Sequence, residues 1–197
     1  MAVEPIQLDR EDVILLTLEA NERLLGREWF SGITRLEKLL YLIDRETKFE
    51  GIGNFFRFEA HNFGPFSKEV YEAIEFLLSC ELIEQREKSF TSVYSSSDEA
   101  KLLSEISDAE VPDEYGSDNQ VTEKQFRLTP NGRKIARIMR DAVQDRRSSD
   151  IQELENVVRM YGTRPLNQLI RYVYHKYPAM TVKSIHPEAS NIQSASP

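Results

Sequence analysis

The chain has 197 residues, of which 40% are hydrophobic and 29% charged, so it is long enough to bury a core and has the composition of a soluble globular protein. No stretch approaches the roughly 18 apolar residues that a membrane span needs, and Met1 to Arg10 lacks the basic-then-apolar order of a secretion signal, which predicts a cytoplasmic protein without membrane contact. The net charge of −8 is local: nine acids between Asp98 and Glu123 face Lys101 alone, and the remainder balances at 24 acids and 24 bases.

Residues 12–25, "DVILLTLEANERLL", carry apolar positions at helical spacing and stop at Gly26. A second helix is expected over "TRLEKLLYLIDRE", with Leu36, Leu39, Leu40 and Ile43 on one face and Arg35, Lys38 and Arg45 pointing away. "FFRFEAHNF" reads as a short strand or extended passage. Gly64-Pro65 then breaks the chain, because a proline ring crowds the residue before it out of helical geometry. Ser67 is placed to cap the next helix, over 67–80, with Phe66 stapled to Tyr71. Val70, Ala73, Ile74, Leu77 and Leu78 form the apolar stripe of this third helix.

"LIEQREKSF" (82–90) and "EKQFRLT" (123–129) read as the two strands of a hairpin. The Ser-rich acidic stretch 91–122 between them is far longer than a tight turn and reads as an insertion, with a short helix at 98–106. Thr129 and Pro130 are suited to the cap and first position of a fourth helix. Further helices are expected at 151–161 and 165–176, stopped by Pro178, and 179–197 reads as a flexible polar tail with little to bury. The resulting organisation is α+β and mostly helical. A winged-helix-like domain spans 1–147 with the acidic wing insertion at 91–122, and a helical extension spans 148–178. The order helix, helix, short strand, helix, hairpin, helix is that of a winged helix, the hairpin being the wing.

Catalytic motifs are not found: there is no phosphate-binding G-x-x-x-x-G-K-[S/T] loop, no H-E-x-x-H and no G-x-S-x-G. His61, His175 and His186 fall in separate segments, and the single cysteine, Cys80, reads as a small buried hydrophobe at the edge of the third helix. The sequence therefore predicts no catalytic residue, no metal and no cofactor. Conventional DNA reading by the third helix is disfavoured, since its exposed face carries Glu69, Glu72 and Glu75 against Lys68, and carboxylates oppose phosphate binding. That face, with Phe76 at its edge, is a candidate protein-binding surface. The insertion adds Asp108, Glu110, Asp113 and Glu114 as candidate contacts to a basic partner. On the fourth helix, Arg133, Arg137 and Arg140 form a basic stripe opposite Ile135, Ile138, Met139 and Ala142, the candidate site for nucleic acid or another polyanion.

At "TRLEKLLYLID", "FEAHNFGPFSKEVYEAIEFLLSCELIE" and "FRLTPNGRKIA", the chain resembles the Panacea-type (SocA-like) antitoxin domain and the related YwgA-like bacterial proteins over about residues 12–140. The shared pattern is a leucine-rich second helix, an aromatic strand, a Gly-Pro elbow, an entry to the wing and a Leu-Thr-x-x-Gly exit from it. The resemblance implies a winged-helix-like, non-enzymatic bacterial protein that binds toxins, protease machinery or DNA. The long acidic insertion and the C-terminal helices depart from that pattern. The expected function is that of an antitoxin-like, adaptor or regulatory subunit with a toxin, nuclease or other complex subunit as its protein partner. The alternatives are a DNA-binding transcriptional regulator using the fourth helix and the wing, and an accessory subunit of a bacterial defence or toxin complex. Nucleic acid is the less favoured partner.

Overall fold

The computed structural model describes residues 8–48, 56–91, 120–186 and 189–190. Helix α1 (Arg10–Leu25) begins at a reciprocal cap. Asp12 N–H donates to Asp9 Oδ1 at 2.9 Å, and Asp9 N–H donates to Asp12 Oδ2 at 3.0 Å. Every residue from Val13 to Asn21 is buried, so α1 is a central helix rather than a surface helix with one apolar stripe. Helices α3 (Lys68–Ser79), α4 (Pro130–Arg146) and α5 (Ser148–Tyr161) pack around it, while α2 (Ile33–Glu46) packs against α5 and α6 (Leu166–Lys176). The fold is α+β and mostly helical, with six α-helices among the described residues.

A three-stranded antiparallel sheet has the order β1 (Phe30–Ser31), β5 (Gln120–Leu128), β4 (Ile83–Thr91). The β4–β5 hairpin runs in unbroken register from Ile83↔Leu128 to Thr91↔Gln120. Both expected strands are present: β4 has the expected length, shifted by one residue from 82–90, and β5 begins three residues before the expected 123 and ends at Leu128. Phe30, Ile83, Phe126 and Leu128 are buried on the sheet. The expected helix at 98–106 and most of the acidic insertion lie outside the described residues.

The elbow differs from its sequence reading. Gly64–Phe66 is not only a break; it is the return strand β3 of a small antiparallel hairpin with β2 (Glu59–His61). Gly64 turns the chain at φ 88°, in the region that side chains disfavour, and a Cβ there would stand 2.6 Å from Tyr174 Cε1. On the other side, Lys38 Nζ donates to Pro65 O at 2.8 Å and Ser67 N–H donates to Glu37 Oε1 at 3.2 Å. Lys38 was expected to point to solvent, yet it is only 1% exposed. The hairpin lies against α2 and brings a backbone carbonyl that needs a donor, and the aliphatic stem of lysine can reach it through apolar surroundings. Burial pushes the Lys38 pKa down, opposed by Glu37 Oε2 at 3.7 Å. Ser67 is likewise corrected: it occupies the cap position of α3, but its hydroxyl donates to Glu69 Oε2 at 3.0 Å and no side-chain cap bond forms. Phe66 and Tyr71 do make the expected staple, with ring centroids 5.5 Å apart, and His61 stacks on Phe66 at 4.8 Å.

Residues 179–186, expected to begin a flexible tail, are docked on the domain. A short 3-10 turn (Pro178–Thr181) leads into a strap whose Ile185 N–H and Ser184 Oγ both donate to Asn62 O, at 3.1 and 2.9 Å. The Tyr174 hydroxyl lies 2.5 Å from Ser184 Oγ, and His186 is buried edge-on to the Tyr174 ring at 5.7 Å. The hairpin tip supplies a carbonyl acceptor to a segment whose apolar content alone gave no reason to dock. Cys80, expected to be buried, is exposed because it sits just past the last turn of α3.

Gly64→Val is expected to lower stability by about 2 kcal/mol or more, read by denaturant melts, since strain at positive φ and a clash with a buried ring add. A second outcome concerns pH. Burial pushes the Asp12 carboxyl up to about 6 from its ordinary 3.8, so proton binding favours the folded chain. This contribution is fully present below the unfolded pKa and is lost as pH rises through about 6. Asp12→Asn keeps an oxygen for the Asp9 N–H and is expected to shrink the fall in melting temperature between about pH 5 and about pH 7.

Candidate recognition surface

Helix α3 buries Val70, Ala73, Ile74 and Leu77, which leaves Lys68, Glu72, Glu75 and Phe76 toward solvent or at the margin. It ends in a Schellman turn: Leu82 N–H donates to Leu77 O and Glu81 N–H to Leu78 O, both at 3.0 Å, with Glu81 at φ 55° where glycine is usual. That turn aims the chain into β4 and places Leu82 O against the start of α4. There it accepts from Thr129 N–H at 3.0 Å, and a Cβ on Gly132 would lie 1.8 Å from it. Thr129 Oγ1 also accepts from Gly132 N–H at 3.0 Å, so the Leu-Thr-x-x-Gly sequence is a cap followed by the residue small enough for the crossing.

The acidic face of α3 is less acidic than its sequence. Glu69 is buried, accepting from Arg57 Nε at 2.7 Å and from Ser67, and does not belong to the exposed surface. Burial works against its charge, but hydrogen bonds from its own backbone N–H, Ser67 and Arg57 outweigh it and hold its pKa below the usual value. Glu72 is paired with Lys68 at 3.1 Å and with Arg10 at 3.2 Å; the Lys68 hydrogen bond is the main reason its pKa is lowered. Glu75 is exposed. Phe76 is 54% exposed, one of the few large apolar side chains so placed among the described residues. Asp108, Glu110, Asp113 and Glu114 lie outside the described residues.

On α4 the buried seam is Gly132, Ala136 and Val143, and it runs between the arginine stripe and the apolar positions rather than along the latter. Ile138 and Ala142, on the side opposite the arginine stripe, are exposed. Arg133 Nε donates to Glu22 Oε1 at 2.7 Å, and Arg140 reaches Glu19 Oε1 at 2.5 Å and Asp141 at 2.7 Å. Glu19, buried in α1, is also held by Arg23, which in turn pairs with Glu155. Two members of the basic stripe therefore serve the inside of the helix bundle, and Arg137 is the exposed one of the three. The partners missed in the sequence were Glu19 and Glu22, two acids inside a helix otherwise read by its leucines.

The sheet carries another group that the sequence reading did not single out. The guanidinium carbons of Arg86 and Arg127 lie 4.0 and 4.6 Å from the Trp29 ring centroid. Arg127 also pairs with Glu28 and Glu84, both at 2.8 Å, and Arg86 donates to Gln125 Oε1. Alternation of Glu84 and Arg86 across from Arg127 was the trace that cross-strand pairing could have supplied. Among the described residues, no group of three or more His, Cys, Asp or Glu side chains is placed to hold a metal ion. No helix among them is long and apolar enough to cross a membrane. No family model matches the chain, and no curated protein sequence does so.

Two outcomes follow from these contacts. Glu81→Gly is expected to raise stability by about 0.5–1 kcal/mol by relieving the left-handed conformation. Arg140→Ala is expected to cost about 1–2 kcal/mol, because Glu19 would keep only Arg23, whereas Arg137→Ala should stay within about 0.5 kcal/mol; urea melts of both variants check the contrast.

Proposed function

We propose that the chain is a non-enzymatic protein-binding module of winged-helix type, acting as an antitoxin-like, adaptor or regulatory subunit through the outer face of α3. The observation that carries this reading is a contrast in what is left over. Arg10, Arg23, Arg127, Arg133 and Arg140 are engaged by carboxylates of the same chain, while Phe76 stands exposed beside Glu75 with no apolar cover. An aromatic ring in that setting suits the centre of a protein contact, where anchors of this type carry much of the binding energy. Lys68, Glu72 and Glu75 form its charged margin. The winged-helix reading is supported by the order of elements and by β1, which joins the β4–β5 hairpin as a third strand. The resemblance to Panacea-type antitoxin domains points the same way, toward a toxin, nuclease or other complex subunit as partner.

A DNA-binding regulator using α4 and the wing has less support, because affinity for phosphates comes from cations that displace counterions, and Arg133 and Arg140 are committed to α1. Phe76→Asp is expected to leave the melting temperature unchanged while abolishing capture of a specific partner by the tagged protein in extracts of its source organism. Retention of the same proteins by the variant would reject the α3 surface, and co-purification of DNA lost on Arg137→Ala would favour the regulator.

A further inference from the structure

We infer that α6 and the strap after it form a second docking surface, for an acidic protein segment that also carries apolar side chains. From Glu155 to Glu188 the sequence contains no intervening acid, against five cations: Arg159, Arg164, Arg171, Lys176 and Lys183. Lys176 is held by Glu46 and the Tyr172 hydroxyl, both at 3.0 Å, and Arg164 stacks on Tyr161 at 4.8 Å. Arg171 and His175 are one turn apart on the exposed side of α6, opposite buried Leu169, Ile170 and Val173. Buried Tyr174, next to them in sequence, fixes the strap through Ser184. Lys183 is exposed on the strap itself.

The way the strap is held makes this more than a basic stretch. It docks through Ser184, the Ile185 backbone and His186, so its own aliphatic side chains face outward: Val182 is 66% and Ile185 55% exposed. They are two of the five large hydrophobics so exposed among the described residues, three positions apart and flanking a lysine. Pinning a short strap at its centre removes the ordering cost that a free chain end would bring to binding. The only acid on the hairpin beneath it is Glu59, at the end of β2 away from Asn62.

The excess of cations over acids along 156–187, with exposed Val182 and Ile185 on either side of Lys183, matches an acidic segment bearing apolar residues. Nucleic acid would use the cations but not Val182 and Ile185, and it gains affinity with each phosphate neutralised, for which this surface has few cations to offer. An anionic membrane would need a larger apolar face. This surface is separate from α3, and its test is independent of that reading.

The probe is a fluorescent amphipathic peptide of leucine and glutamate, about 20 residues long, titrated into the full chain by anisotropy. We expect saturable binding that weakens with salt, falls roughly tenfold for Val182→Asp/Ile185→Asp and again for Lys183→Glu, and is unchanged for Phe76→Asp. Amide shift mapping on the unaltered protein should move residues 171–186, which covers the case in which the strap variants fail to fold. The inference is overturned by no binding, by shifts elsewhere, by equal binding of a glutamate-only peptide, or by a single-stranded oligonucleotide or phosphatidylserine vesicle binding in preference to the peptide.

Discussion

Nine consecutive buried residues, Val13 to Asn21, leave the middle of α1 no face toward solvent, and this constraint reaches into most of the surrounding structure. A stretch enclosed on all sides cannot leave a charge to water, so Glu19 has to be met by cations from within the fold. Arg23 comes from the next turn, and Arg140 comes from α4. Desolvated carboxylates are costly when single and tolerable when paired and hydrogen-bonded. What looks like a basic stripe along α4 is thus largely the complement of acids inside α1, and the same pairing sets how α4 sits on the bundle.

The elbow shows the same logic on the backbone. A hairpin of only three residues per strand is marginal by itself. Here it is gripped from α2 by Lys38 and Glu37, and from the C-terminal side by Tyr174, Ser184 and Ile185. Elements more than a hundred residues apart in sequence therefore converge on Asn62–Ser67, with Gly64 as the point where no side chain fits. Glu46 supplies a second tie between the same partners, accepting hydrogen bonds from the hydroxyls of Tyr172 and Tyr177, each at 3.2 Å.

Periodicity and local turn chemistry were enough to place the helices and the long hairpin. Residues such as Gly26, Thr129, Pro130 and the Phe66–Tyr71 pair act within one turn of chain, where the physics is local. Most of the failures have a different cause. Lys38, Glu69 and the 179–186 strap depend on what lies opposite them, which leaves no period to read, while Cys80 is exposed because α3 stops one residue before it. Phe76 was legible as an edge residue of α3, and it stands at the edge. The glutamates around it were legible as residues but not as surface, since burial of Glu69 hinges on Arg57, eleven residues before α3 begins. Leu-Thr-x-x-Gly was readable as a pattern; its necessity came only with the 1.8 Å approach of Leu82 O to an imagined Cβ on Gly132.

The β4–β5 ladder holds Thr91 directly opposite Gln120. In an antiparallel pair those α-carbons stand about 5 Å apart. Any sequence spliced between them meets one geometric condition, that its two ends return to neighbouring points, while the register below is fixed by the paired strands. Closure entropy rises only slowly with loop length, so the ladder tolerates large changes of cargo at this point. The hairpin end is therefore a socket into which a whole reporter or binding domain with adjacent termini could be grafted, its two ends joined to paired strands and its strain kept away from α1.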